Sequence, residues 1–147
     1  MTFIIVLGII LPYICSIQTN KIQTKIIRIM ENIELRIGNY IMYGDGKIAV
    51  DINILRDLNT YLSLGIKPIE ITEEWLLSLG FLSGVKLFDS IRYKKGRIYV
   101  IITDSICVFA IKNEATGGYC RIKKLKYIHD LQNTYYCNEN KELTLKS

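Results

Sequence analysis

Histidine, proline and tryptophan are scarce in these 147 residues: one His, two Pro and one Trp. A single histidine removes the His-Glu-x-x-His, paired-His and facial-triad metal sites, all of which need two. The four cysteines, Cys15, Cys107, Cys120 and Cys137, show no Cys-x-x-Cys spacing. That argues against a structural zinc or a thioredoxin-like centre, and a disulfide-dense scaffold is excluded. With only two Pro and ten Gly, the chain is neither collagen-like nor proline-rich. No phosphate-cradling glycine loop, nucleophile elbow or calcium-binding loop occurs. No metal or cofactor is therefore expected.

What is present suits one folded domain. Half the residues are hydrophobic and 22% are charged, enough apolar surface for a core and too little charge for a disordered polyelectrolyte. Nineteen Lys and Arg against 14 Asp and Glu give +5. That surplus is uneven, because Lys21, Lys25 and Arg28 precede Met30 without an acidic residue among them. From Met30 onward 16 basic residues face 14 acidic ones, leaving +2.

The opening stretch from Phe3 to Ile17 is almost wholly apolar, and no charged side chain precedes Lys21. As a helix it would be about 22 Å long, short of the roughly 30 Å hydrocarbon core, and Pro12 would kink it. It lacks the basic start of a secretory signal, and Ser16 is a mediocre cleavage site. The reading taken is that translation starts at Met30, residues 1–29 being an upstream extension, and that the product is cytoplasmic. The alternatives are a retained anchor, with the main domain on the cytoplasmic side because the cations follow the apolar run, and an exported protein.

Residues 30–147 read as one α+β domain: a small antiparallel β-meander or partly open barrel with a short mid-chain helix and a C-terminal amphipathic helix. Leu35 to Tyr43 and Lys47 to Ile52 flank Gly44-Asp45-Gly46 as a hairpin, and the opening Ile37-Gly38-Asn39-Tyr40-Ile41 is of a kind small SH3-like barrels often show. Asn53 to Gly65 reads as a short helix. Thr72-Glu73-Glu74-Trp75-Leu76-Leu77-Ser78-Leu79-Gly80 carries the signals of a two-turn helix: a capping Thr, acidic residues in the first turn and a glycine stop. Val85 to Tyr93, Arg97 to Thr103, Ile106 to Lys112 and Tyr119 to Ile122 read as strands, with Tyr99 to Ile102 central. Leu125, Ile128, Leu131 and Tyr135 recur at helical spacing in the closing segment.

Three segments carry a family resemblance: Leu35-Arg36-Ile37-Gly38-Asn39, then Lys67-Pro68-Ile69 with Thr72 to Leu77 and Gly80-Phe81, then Lys126 to His129 with Leu131-Gln132-Asn133 and Tyr135. Together they resemble a family of short proteins encoded by phages, prophages and mobile elements of gut anaerobes. The likeness covers residues 31–145, and family members begin just ahead of the Leu-Arg-Ile-Gly-Asn segment, which supports Met30 as the start. It implies a genomic setting and a cytoplasmic product, and brings no established activity, cofactor or catalytic residue. Tyr136 to Lys141 departs from the family's apolar stretch and Thr-Gly turn, so the last helix is expected to fray early.

Two basic clusters remain, Arg92, Lys94, Lys95 and Arg97, and Arg121, Lys123, Lys124 and Lys126, interleaved with Tyr93, Tyr99, Tyr119 and Tyr127. If the meander brings them together, cations could hold phosphate while a base stacks on a ring. The structural alternative is a solvated hairpin tip and a charged strand edge that resists aggregation. His129 is the one candidate catalytic base, for a hydrolase or nuclease; its structural alternative is a half-buried residue hydrogen-bonded to nearby backbone. Asp130 is expected to point away from it, and Cys107 or Cys120 stay open as partners. The functional expectation is a nonenzymatic binding module of a phage or mobile element. Its partner would be anionic, a nucleic acid or nucleotide, or a host or phage protein, with a membrane involved only if residues 3–17 are retained.

Overall fold

The computed structural model describes residues 35–146, so the apolar stretch 3–17 and the start at Met30 lie outside the described residues. The described chain opens with a turn in which the Gly38 N–H donates to the Val50 carbonyl and the Val50 N–H to the Asn39 carbonyl. Strand β1 (Tyr40–Tyr43) then pairs antiparallel with β2 (Gly46–Ala49) across a two-residue Gly44-Asp45 loop. The Asp51 carboxylate caps α1 (Ile52–Arg56), accepting from the Asn53 and Ile54 N–H groups at 2.9 Å. A second short helix, α2 (Leu58–Ser63), follows. The chain returns as β3 (Ile66–Pro68), antiparallel to β1, completing a sheet of order β2-β1-β3. Pro68 is tolerated there because β3 is an edge strand.

Strand β1 is a nearly continuous apolar run because it is covered on both faces. Ile41 packs with Val50, Ile54, Leu62 and Ile66 in a minor core beneath α1 and α2. Tyr40 and Met42 face the opposite way, against the major core.

Helix α3 (Glu73–Ser78) is capped as its sequence predicts: the Thr72 hydroxyl accepts from the Trp75 N–H, Glu73 and Glu74 occupy the first turn, and Gly80 has φ +87°. Too short to stand alone, it is held by Leu76 and Leu79, both fully buried. Next comes a five-stranded antiparallel meander, β4 (Leu82–Leu87), β5 (Ser90–Lys95), β6 (Ile98–Thr103), β7 (Cys107–Lys112) and β8 (Tyr119–Leu125), in sequential order with β6 central. Helix α4 (Ile128–Glu139) closes the described chain before a short tail. The fold is α+β, and among the described residues the two sheets are open and close no barrel.

Four expectations need correction. Val85 to Tyr93 is two strands, not one, because the chain reverses at Phe88-Asp89. The 53–65 helix is divided in two at Asp57. Leu125 ends β8 rather than starting the last helix. That helix runs to Glu139 without early fraying, since Asn140 adopts a left-handed cap (φ 51°) and the Asn138 amide donates to the Thr134 carbonyl.

The major core lies between one face of the large sheet, α3 and α4. Tyr93, Ile98, Val100, Phe109 and Leu125 from the strands meet Leu76, Leu79, Ile128, Leu131 and Tyr135. Two cores must be held in register, and a buried polar network does this. The Gln132 carboxamide accepts from the Tyr40 N–H at 2.8 Å and donates to the Gly38 and Leu143 carbonyls, both at 3.1 Å. Asn39 bonds the Asn133 side chain at 3.0 Å, and Arg36 reaches the same Asn133 oxygen while pairing with Glu142 at 2.7 Å. One α4 residue thus joins the small sheet, the helix and the tail.

Replacing Gln132 orphans three backbone groups in the interior, each costly to leave unpaired. Gln132→Leu is expected to cost about 3 kcal/mol of unfolding free energy, whereas Glu142→Gln, at a half-exposed ion pair, costs less than about 1 kcal/mol. Urea unfolding monitored by circular dichroism measures both; comparable midpoints for the two variants would remove the network from its organising role.

Candidate functional site

With α3 and α4 on the inner face of the large sheet, strand alternation assigns the outer side chains. Ile98, Val100 and Phe109 point inward. Their neighbours Tyr99, Ile101, Val108 and Ala110 therefore point outward, and pairing carries Arg92, Lys94 and Lys112 to the same face. Strand β8 keeps this alternation only up to an irregularity opposite Phe109/Ala110, which leaves Ile122 unpaired. Tyr119, Arg121 and Lys124 end on the outer face, and Lys123 does not. The outer face so carries five cations, Arg92, Lys94, Lys112, Arg121 and Lys124.

Arg92 sits on β5 and Tyr119 on β8, with two strands between them, a flat-sheet separation of roughly 14 Å. Even so, the Arg92 guanidinium lies 5.0 Å from the Tyr119 ring centroid. Tyr119 meets Tyr99 edge-on at 4.9 Å, and the Lys94 ammonium lies 5.9 Å from the Tyr99 ring. The β5 and β8 clusters are thereby joined through a small cluster of Tyr99, Ile101, Ala110 and Tyr119. Tyr99 is only 8% exposed. Its ring supports the cations and leaves little face for a base to stack on.

Open depressions mark this face, two of them beside the Tyr99 and Tyr119 rings. One, of about 420 Å³, is lined by Phe88, Asp89, Arg92, Ile101, Tyr119 and Arg121 among others. The second, of about 380 Å³, is lined by Lys94, Arg97, Tyr99, Lys112 and Glu114 with two glycines. Asp89 and Glu114 are the acidic residues lining them.

The remaining site candidates are engaged by partners of their own. Lys95 turns inward, where its ammonium donates to the Leu79 carbonyl at 2.5 Å, satisfying the C-terminus of α3. Burial and the nearby Lys146 lower its pKa. Arg97 is tied to the end of α4, pairing with Glu139 at 2.9 Å and donating to the Asn138 carbonyl. Lys123 lies 3.9 Å from Asp130 on the helix side. Tyr127 precedes α4, its ring stacked on His129 at 5.5 Å and its backbone bridged to Glu70. Of these four, Arg97 also lines an outer-face depression, and its guanidinium is held at the end of α4.

His129 is 1% exposed, not half-buried, and its Nδ1 has no hydrogen-bond partner among the described residues. Contrary to expectation, Asp130 is close, its Oδ1 lying 3.9 Å from Nε2. The other Asp130 oxygen accepts from the Lys126 and Tyr127 N–H groups at the helix start. An imidazole this enclosed, stacked on Tyr127, is placed for packing. Cys107 is similarly withdrawn, burial pushing its thiol up to about 11, so it is no ready nucleophile. Cys107, Cys120 and Cys137 are free thiols. Among the described residues, no group of His, Cys, Asp and Glu is arranged to hold a metal ion, and no helix is long and apolar enough to cross a membrane.

Sequence reasoning missed Phe88 and Lys112. Lys112 was legible as the end of a predicted strand, but its face depended on the pairing. Phe88 lay hidden within a segment read as continuous strand.

Burial lowers the His129 pKa below its usual 6.5, outweighing the opposing pull of Asp130. The unfolded chain then takes up this proton first as pH falls, so stability is full above 6.5 and is lost as pH drops toward the depressed folded value. The thermal midpoint is expected to fall between pH 7 and pH 5 in the native sequence, and to fall less in His129→Leu. Parallel midpoint curves for the two proteins would contradict a buried neutral imidazole. Set beside known proteins, the chain matches no family model, no curated protein and no solved structure.

Proposed function

We propose that this protein is a nonenzymatic module that binds a polyanion, nucleic acid being the class that fits, on the outer face of its five-stranded sheet. The observation that carries this reading is the convergence of Arg92, Lys94, Lys112, Arg121 and Lys124 on one sheet face, organised by the Tyr99 and Tyr119 rings. A row of cations on a rigid sheet matches a row of phosphates, and binding by counterion release follows. Net charge alone does not supply the attraction, because the excess is small. Placement does. The sequence resemblance to phage and mobile-element proteins supports an accessory role in the cytoplasm of a host bacterium.

The test separates placement from total charge. One variant carries Lys94→Glu, Lys112→Glu and Lys124→Glu; a second carries Arg56→Glu, Lys67→Glu and Lys141→Glu, exposed cations located elsewhere. Both change net charge equally. Fluorescence anisotropy with labelled oligonucleotides is expected to show binding abolished in the first and largely kept in the second. The native protein should lose affinity with added salt at a log–log slope of roughly 0.7 to 0.9 per phosphate contacted. Equal losses in both variants would refute a dedicated face.

A further inference from the structure

Phe88 is the most conspicuous side chain outside the cation set. It is 92% exposed and holds φ at +53° in the two-residue loop joining β4 to β5. Both features are unfavourable: a bulky residue is a genuine outlier in the left-handed region, and an exposed ring forgoes burial. Asn or Gly would make the turn more cheaply. The fold gains nothing visible from a phenylalanine here, and strained residues of this kind cluster where ligands bind.

Its neighbourhood says which ligand. Phe88 lines the same depression as Arg92 and Arg121. Leu82, Val85 and Leu87 of edge strand β4 pair toward the outer face and are also exposed, extending an apolar strip alongside Arg92 and Lys94. An apolar ring beside two guanidinium groups matches a ligand whose flat, uncharged parts alternate with anions. In a duplex the bases are stacked inside and unavailable to the ring; in a single strand they are free. Asp89 also lines the depression and disfavours anions at that margin, which leaves Arg92 and Arg121 as the phosphate contacts.

Resting on the polyanion reading above, we infer that Phe88 is a stacking platform that makes this face a single-strand binding site, one base lying on the ring while flanking phosphates meet Arg92 and Arg121. The experiment compares native protein, Phe88→Asn and Phe88→Trp for binding of oligo(U) and of a duplex of equal length. Phe88→Asn is expected to weaken oligo(U) binding roughly tenfold, the usual scale for losing one base–aromatic stack, with duplex binding unchanged and Phe88→Trp near native. Asn accepts the left-handed backbone, so Phe88→Asn should melt no lower than the native protein, which separates lost binding from lost folding. Native-level oligo(U) binding by Phe88→Asn, or equal losses for single strand and duplex, overturns the stacking role while leaving the polyanion face standing. Absence of binding to either nucleic acid by the native protein overturns both readings.

Discussion

The Gln132 carboxamide is the point on which the described fold turns. Residues 35–68 make a small sheet with its own core, and residues 82–125 make a larger one. Nothing in strand pairing links the two, since no ladder crosses between them. Beyond the packing of Tyr40 and Met42 against the major core, what joins them is α4, and the only buried side chain on α4 that bonds the backbone of both the small sheet's entry and the tail is Gln132. A carboxamide suits this position because it both accepts and donates, whereas a carboxylate would bring an unpaired charge inside. The surrounding Asn39, Asn133 and Arg36 bonds extend the same clip toward the surface.

Fixing α4 in this way decides which face of the large sheet is covered. The inner face carries Tyr93, Val100 and Phe109 and is sealed by α3 and α4. Alternation then obliges the other set of side chains to face outward, and in this sequence that set is rich in Lys and Arg. The cations serve a second physical purpose on β8, an edge strand, where Arg121, Lys123 and Lys124 discourage pairing with another chain. The opposite edge, β4, has a single lysine, Lys86, and a register irregularity for protection, and exposes Leu82, Val85 and Leu87. One edge is cationic and the other largely apolar, with Arg92 and Lys94 on the strand beside it.

Much of the frame was legible in the sequence, and the reasons differ by element. Helix α3 announced itself through Thr72, Glu73, Glu74 and Gly80, all local signals that tertiary packing had no cause to override. Strand β6 was legible as the centre because only a strand buried on both faces tolerates Tyr99 to Ile102 without polar interruption. The Phe88-Asp89 reversal was not legible, because Leu87-Phe88-Asp89-Ser90-Ile91 contains no glycine or proline and the left-handed position of its turn is taken by Phe88 and not by a residue that favours it. Strand β3 was missed because three residues ending in proline carry no periodicity. The segments behind the resemblance fall largely on the frame: Gly38 and Asn39 in the entry turn, Thr72 and Leu76 in α3, His129 and Gln132 in α4. They report how the chain folds more than what it binds.

Site residues were harder to read than elements, for a geometric reason. Lys94 and Lys95 are neighbours in sequence, yet successive residues of a strand face opposite ways, so one is an outer-face cation and the other closes the end of α3. On β8 the extra residue Ile122 shifts the alternation, separating Lys123 from Arg121 and Lys124 in a manner no count along the sequence would give. The same geometry changes the chemistry. Tyr99 and Tyr119 had suggested stacking because aromatics among cations often contact bases, but with Tyr99 buried and Arg92 laid against Tyr119 their electrons are already used in holding guanidinium and ammonium groups in place. A face built only from those parts would grip phosphates without regard to strandedness. Under the proposed binding mode, discrimination would come from a ring that the frame leaves uncovered, and among the described aromatic side chains Phe88 is by far the most exposed.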